Sequence, residues 1–207
     1  MTSQLNSVLL DGEPCIPGKI ICVGRNYVGH IRELDNEVPQ QMVVFAKPNS
    51  AISNTLHSFL GEPLHYEAEI SFIVKNNQFI AVAMGMDLTK RGIQSNLKAA
   101  SLPWERCKAF DGSALFSPFV SIQTINPALK VELSIDGELA QTGGVELMIH
   151  KPDEIIEDIN SFITLNDGDI VMTGTPKGVG EVISGKQYSG RIMQNDEVIT
   201  SIDWVAL

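Results

Sequence analysis

The sequence predicts an α+β fold with mixed or antiparallel sheets. Three observations predict it. Most apolar runs are short and rich in β-formers, turn signals are dense between them, and the helical stripes do not alternate regularly with strands. Residues 19–23, 43–46, 68–74, 79–86, 131–135, 169–172 and 197–202 read as strands. Asn76-Asn77 predicts a tight turn between the third and fourth of these, and Asp136-Gly137 predicts a hairpin joining 131–135 to 138–141. Pro152 suits a first helical position, and Ile155, Ile156, Ile159, Phe162 and Ile163 then form one apolar stripe at helical spacing. Residues 89–101 form a weaker helical pattern in which Ile93, Leu97 and Ala100 share a face and Gly92 is unfavourable. No linker or repeat divides the chain, so residues 1–207 read as a single domain.

The 207 residues carry 15 Lys and Arg against 25 Asp and Glu, a net charge of −10, with 43% hydrophobic residues. That balance is globular rather than disordered, and a chain of this length hides roughly 70% of its unfolded surface. The acidic charge argues against nucleic acid as a partner, which needs a basic face. The longest apolar stretch, residues 79–86, is far short of a membrane span, so no membrane partner is expected. The first six residues lack the basic start and apolar run of a signal peptide, and Cys15, Cys22 and Cys107 form no CxxC. A reduced cytoplasm is the expected location.

The most informative segment is His65-Tyr66-Glu67-Ala68-Glu69-Ile70-Ser71-Phe72-Ile73-Val74. On a strand, Ala68, Ile70, Phe72 and Val74 share an apolar face, and Glu67, Glu69 and Ser71 share the other. Two carboxylates on one face repel unless solvent or a cation screens them. By themselves these residues read as a solvated strand face. Asp87 ends the run that a short turn joins to this strand, which brings it towards Glu67 and Glu69. Three hard oxygen ligands without His or Cys point to Mg²⁺ or Mn²⁺ rather than zinc. Asp87 is also placed to cap a helix beginning near Thr89.

The stretch Gly24-Arg25-Asn26-Tyr27-Val28-Gly29-His30-Ile31-Arg32-Glu33 follows a strand directly. If residues 27–33 are helical, His30 and Glu33 are i, i+3 neighbours. Such a carboxylate raises an imidazole's basicity, as a general base requires, although a surface His–Glu pair has the same spacing. Arg25 could fork onto a substrate carboxylate or pair with one of the many acids. Lys108 has aromatic residues on both sides, where it could stabilise an enolate or snorkel with a wet ammonium. Gln94 could bond a substrate from a helix face, but by itself reads as solvent-facing. Thr173-Gly174-Thr175-Pro176-Lys177-Gly178-Val179-Gly180 is neither a phosphate loop nor a dinucleotide fingerprint. Its N–H groups and the Thr175 hydroxyl could hold a carboxylate, or it is an ordinary glycine-rich turn.

Taken in order, these pieces resemble the fumarylacetoacetate hydrolase superfamily, from about Lys19 to the C-terminus. They are most similar to the short branch that lacks an extra N-terminal domain and includes acylpyruvate hydrolases and oxaloacetate decarboxylases. The motifs that carry the resemblance are Gly24-Arg25-Asn26-Tyr27 with His30 and Glu33, Phe45-Ala46-Lys47-Pro48, Tyr66-Glu67-Ala68-Glu69, Asp87-Leu88-Thr89, Lys108 before Phe110, and residues 173–180. The resemblance implies a β-rich roll of mixed sheets with a few short helices, often a homodimer. It implies Glu67, Glu69 and Asp87 as ligands for Mg²⁺ (or Mn²⁺), and His30 with Glu33 as the pair that positions or activates water. Lys108 would act at the substrate oxygens, and Arg25, Gln94 and Thr175 match substrate contacts. Two departures stand out. Gly92 replaces a common acid, and Gly143-Gly144-Val145-Glu146 replaces a stretch rich in Thr, Ser or Asn beside the site.

The expected activity is Mg²⁺-dependent hydrolysis of a carbon–carbon bond in a small 2-oxo acid, an acylpyruvate, by way of a pyruvate enolate. Oxaloacetate decarboxylation or tautomerisation, and isomerisation or decarboxylation in aromatic catabolism, are alternatives on the same site. A non-catalytic protein keeping the fold is the rival from another class.

Overall fold

The computed structural model describes residues 5–35, 37 and 39–207. The alternation in residues 68–74 forms the strand Ala68–Lys75, and Asn76-Asn77 turns it back into Gln78–Asp87. Both turn residues take positive φ, +49° and +60°, as a two-residue hairpin turn of the I′ type requires. This hairpin lies within a seven-stranded sheet ordered Val120–Ser121, Gln78–Asp87, Ala68–Lys75, Ile170–Met172, Lys19–Gly24 and Val43–Pro48, with Ala114–Phe116 added to Gln78–Asp87. Ile170–Met172 runs parallel to Lys19–Gly24 and antiparallel to Ala68–Lys75, so the sheet is mixed.

A second, antiparallel sheet is ordered Glu138–Gly144, Leu129–Ile135, Gln187–Gln194 and Glu197–Val205. Asp136 and Gly137 form its first turn, both at positive φ. A small three-stranded sheet joins Gly180–Glu181, Leu64–Tyr66 and Thr89–Lys90.

The central hairpin is buried on both faces. Ala68, Ile70, Phe72 and Val74 join the larger core with Met84, Val131 and Ile192. Ile73, Ala81 and Ala83 join a second core with Cys22, Phe116, Phe119 and Met172. Each large apolar side chain so buried contributes about 1.5–3 kcal/mol. The second core is why the polar face of residues 67–71 is not a solvated strand face: Glu69 and Ser71 are buried with it.

Among the described residues there are four short α-helices, Val28–Glu33, Arg91–Ala99, Glu105–Lys108 and Pro152–Asn160. The last starts at Pro152, as its sequence predicts, and buries Ile155 and Ile159. It ends at Asn160, however, so Phe162 leaves the stripe and is 58% exposed. The helix expected over 89–101 begins at Arg91, because Thr89–Lys90 is drawn into strand pairing with Leu64–His65. Glu62 accepts from the N–H groups of Gly92 and Ile93 at that helix start. Leu97 is buried but Ala100 is exposed. Among the described residues, no helix is long and apolar enough to cross a membrane.

Candidate active site

The register of the central hairpin assembles the acids. Ala68 pairs with Met86 and Glu69 with Gly85, and the Asp87 N–H donates to the Glu67 carbonyl at 2.8 Å. Glycine is required opposite Glu69, since a Cβ at position 85 would come within 2.2 Å of Ser71 Oγ and 2.9 Å of Met172 Cε. Glu67, Glu69 and Asp87 are all buried, and each offers an oxygen within 4.8 Å of the others.

Two lysines and an arginine meet these acids from three elements. Lys108, from the short helix Glu105–Lys108, donates to Glu67 Oε2 at 2.8 Å, Asp87 Oδ2 at 2.6 Å and Thr89 Oγ1 at 2.6 Å. It is 2% exposed, so it does not snorkel. Lys47, fully buried on Val43–Pro48, lies 2.8 Å from Asp87 Oδ1 and also donates to the Lys108 carbonyl and to Ser113. Arg91 pairs with Glu67 at 2.7 Å. Asp87 is therefore not a helix cap; the capping position of the following helix is Lys90.

These partners split the acids electrostatically. Burial works against ionising Glu67, but the charges of Lys108 and Arg91 outweigh it and hold the carboxyl well below its usual range. Burial also opposes the charge on Lys108, yet Asp87 and Glu67 raise its ammonium above the ordinary value. Glu69 is the exception. It accepts from the Gly174 N–H at 2.8 Å, and burial together with the charges of Asp87 and Glu67 pushes it well above the usual carboxylate range. A buried acid in that condition, beside two others and within an all-oxygen donor set, fits a hard divalent cation such as Mg²⁺ or Mn²⁺.

The helix Val28–Glu33 supplies the imidazole. His30 is buried, and its Nδ1 lies 3.5 Å from Glu33 Oε2. Burial pushes the imidazole below its ordinary value against the pull of Glu67 and Glu33, so the ring is neutral at pH 7. Glu33 in turn accepts from the Gly178 N–H at 2.9 and 3.1 Å, which ties the glycine loop to the helix. The pair is thus not a simple surface His–Glu contact.

The glycine loop does hold carboxylates through its N–H groups, Glu69 at Gly174 and Glu33 at Gly178. The Thr175 hydroxyl donates to the Ala68 carbonyl at 2.9 Å and accepts from Gln141 Nε2 at 2.8 Å, which locks the loop against the hairpin. Gly174, at φ +100°, admits no side chain: a Cβ would lie 2.8 Å from Asn26 Cβ.

One cavity is lined by the three acids, Lys108 and His30 at its foot, with Thr175, Gln94 and Arg25 around them. Gln94 is buried rather than solvent-facing, and its Oε1 accepts from Arg91 Nη1 at 2.6 Å. Arg25, at φ +56°, holds its guanidinium 6.0 Å from the Trp104 ring. The expected participation of residues 143–146 takes a different form. Glu146 is exposed and does not line this cavity, while Gly143 leaves room for Pro176 and the Tyr27 ring.

Sequence reading missed four cavity or support residues. Arg91 and Lys98 stand three before and four after Gln94, a helical spacing that marks them as its neighbours on one face. Lys47 lies in the motif Phe45-Ala46-Lys47-Pro48, and its one sequence signal is a charge inside an apolar strand run. Trp104 carried no signal, since its position depends on chain packing.

Comparison with known proteins agrees with this geometry. The family described as fumarylacetoacetate hydrolase C-terminal matches residues 19–205. The chain belongs to this family. It is 37% identical over 206 residues to an oxaloacetate tautomerase of Schizosaccharomyces pombe named as mitochondrial, covering 89% of this chain and 93% of that one. It is 36% identical to the oxaloacetate tautomerase YcgM of Escherichia coli K12, covering 83% and 86%. A crystal structure of fumarylpyruvate hydrolase from Pseudomonas aeruginosa, in complex with Mn²⁺ and pyruvate, superposes with a TM-score of 0.87 at 27% identity, over 100% of this chain and 98% of that one. Family members thus share the fold, a β-rich roll of mixed sheets with few short helices.

Proposed function

We propose that this chain is a divalent-cation-dependent enzyme acting on small 2-oxo acids through their enolates, with interconversion of keto and enol oxaloacetate as its main activity. One observation carries the reading: three buried carboxylates with oxygens within 4.8 Å of one another, beside a buried lysine and a buried imidazole. The names of the curated relatives support enolisation over hydrolysis as the main reaction. The neighbour crystallised with Mn²⁺ and pyruvate supports the cation class and the 2-oxo acid end of the substrate.

Glu67, Glu69 and Asp87 would hold the Mg²⁺ or Mn²⁺. Once bound, the ion supplies Lewis-acid stabilisation of negative charge on a substrate oxygen. His30, neutral at pH 7, takes a proton from carbon 3 of the keto acid, and the electron pair moves into the carbonyl. The proton returns on oxygen to give the enol, and the reverse path restores the ketone. Glu33 steadies the imidazolium that forms, and its own position is fixed by the Gly178 N–H. Lys108 places a fixed positive charge near the developing oxyanion. Gln94 and Arg25 orient the substrate, while Thr175 braces the wall. The expected homodimer and cytoplasmic location are further parts of the proposal.

Hydrolysis of an acylpyruvate is the second reading, favoured by the fumarylpyruvate hydrolase neighbour. His30 would then deprotonate water, which attacks the distal ketone; the carbon–carbon bond breaks to leave a carboxylic acid and a pyruvate enolate. The deciding assay follows the ultraviolet absorbance of enol oxaloacetate, with acetylpyruvate cleavage in parallel. The proposal expects rapid oxaloacetate interconversion that EDTA abolishes and Mg²⁺ restores. Faster acetylpyruvate cleavage would put hydrolysis first, and EDTA-insensitive rates would remove the cation from the account.

A further inference from the structure

We propose that Gln141 is a positioning residue for the divalent ion: its carboxamide, reaching in from the second sheet, fixes the main chain between Glu67 and Glu69 and thereby sets where their oxygens stand. The inference rests on the reading above that these acids are the ligands.

The need for such a residue follows from where the strands end. Leu64–Tyr66 belongs to the small sheet and Ala68–Lys75 to the large one, so the chain changes sheets at Glu67. On the side away from Gln78–Asp87, Ala68–Lys75 pairs with Ile170–Met172, and that pairing stops with Met172 opposite Ser71. Beyond it, separate hydrogen bonds take the place of the ladder. Thr173 donates to the Ile70 carbonyl through its N–H at 3.1 Å and its hydroxyl at 2.8 Å. The Thr175 hydroxyl donates to the Ala68 carbonyl at 2.9 Å. The Ala68 N–H donates to a side chain, Gln141 Oε1, at 2.9 Å.

Gln141 stands on Glu138–Gly144, opposite Leu133, and is 1% exposed. An amide offers an acceptor oxygen and two N–H donors. Here the oxygen takes the Ala68 N–H, and Nε2 donates to Thr175 Oγ1 and to the Pro176 carbonyl, both at 2.8 Å. One side chain therefore ties the peptide that joins Glu67 to Ala68 to the glycine loop, whose Gly174 N–H holds Glu69 at 2.8 Å. Rotation of that peptide would turn the acids on either side of Ala68, so the link governs both. Methionine at this position keeps the length of the side chain but leaves the Ala68 N–H and the Pro176 carbonyl buried without this partner. Buried polar groups do not stay unpaired at low cost, so the local chain must shift to satisfy them.

The test is electron paramagnetic resonance of Mn²⁺ titrated into the metal-stripped chain, which reads both the free ion and the line shape of the bound one. Wild type, Gln141→Met, Thr175→Val and the double variant are compared. Ile192→Val, a core change two strands away in the same sheet, is the control for general loosening. Gln141→Met is expected to bind Mn²⁺ about tenfold more weakly, with a changed line shape. Thr175→Val breaks the same link from the loop side and should also weaken binding, so it carries the test if Gln141→Met does not fold. The double variant should bind no more weakly than the weaker single one, because the two side chains serve one link. Wild-type affinity or line shape in either single variant, losses that multiply in the double variant, or equal weakening in Ile192→Val overturns the inference. No Mn²⁺ binding by wild type rejects the cation reading and the inference together, whereas wild-type binding that Gln141→Met retains rejects the inference alone.

Discussion

Asp87 faces Glu67 across the central hairpin, and its backbone N–H donates to the Glu67 carbonyl at 2.8 Å. Main-chain pairing therefore brings two of the three acids together, and Glu69, two residues along from Glu67, follows from the strand period. The acid cluster belongs to the hairpin register, and its repulsion is carried by a fold that has large cores on both sides.

Glu69 is the acid that the protein's own cations leave least compensated. Its pKa is raised in the folded chain, so the stability linked to it is present below the ordinary glutamate value near 4.3 and is lost as pH rises towards the folded value. Metal-free Glu69→Gln should therefore melt higher than metal-free wild type at pH 7, by roughly 2–4 °C per kcal/mol relieved. The same variant should lose the rise in Tm that Mg²⁺ gives the wild type. Differential scanning calorimetry with and without EDTA measures both, and a lower metal-free Tm would count against the assignment.

Gly85→Ala places a methyl 2.2 Å from Ser71 Oγ in a fully buried setting. Overpacking of this kind costs about 1–3 kcal/mol. Urea denaturation should show that loss, and pairing the change with Ser71→Gly should recover part of it. Additive losses in the double variant would mean that the contact is not the cause.

Lys47→Met removes a buried ammonium that meets Asp87, Ser113 and the Lys108 carbonyl. Leaving those partners buried and unpaired should cost about 3–5 kcal/mol. Equilibrium unfolding checks the magnitude. A loss under 1 kcal/mol would show that water or a neighbour replaces the ammonium.

Burial lowers the His30 pKa, so the free enzyme keeps a neutral base at pH values where an ordinary histidine, near 6.5, is half protonated. The acid limb of log kcat/KM against pH should lie below that value and vanish in His30→Ala. The stability sign agrees: the unfolded chain binds the proton first, so stability linked to His30 is present above about 6.5 and lost as pH falls through the folded value. A limb above 7 would assign it to another group.

The fold was legible where local pattern and tertiary environment agree. Residues 68–74 alternate, Asn76-Asn77 turns, and Asp87 lands where the hairpin length puts it. Failures came where distant packing decides. Nothing within residues 65–74 reveals the second core that buries Glu69 and Ser71. Thr89 and Lys90 have a helical pattern but pair with Leu64 and His65 instead. Phe162 keeps the helical period after the helix has ended. In the candidate site, the acids and His30 could be named from sequence because their spacing is local. Lys47 and Trp104 could not, since their neighbours are remote in the chain, whereas Arg91, Gln94 and Lys98 share a local i, i+3, i+7 stripe.

The central claim is that Glu67, Glu69 and Asp87 hold one divalent ion, and calorimetric titration of Mn²⁺ into the metal-stripped chain tests it most directly. The account predicts one site per chain in wild type, weakened by at least about a hundredfold in Glu69→Ala. Absence of binding to the folded wild type, or equal affinity in Glu69→Ala, would contradict it.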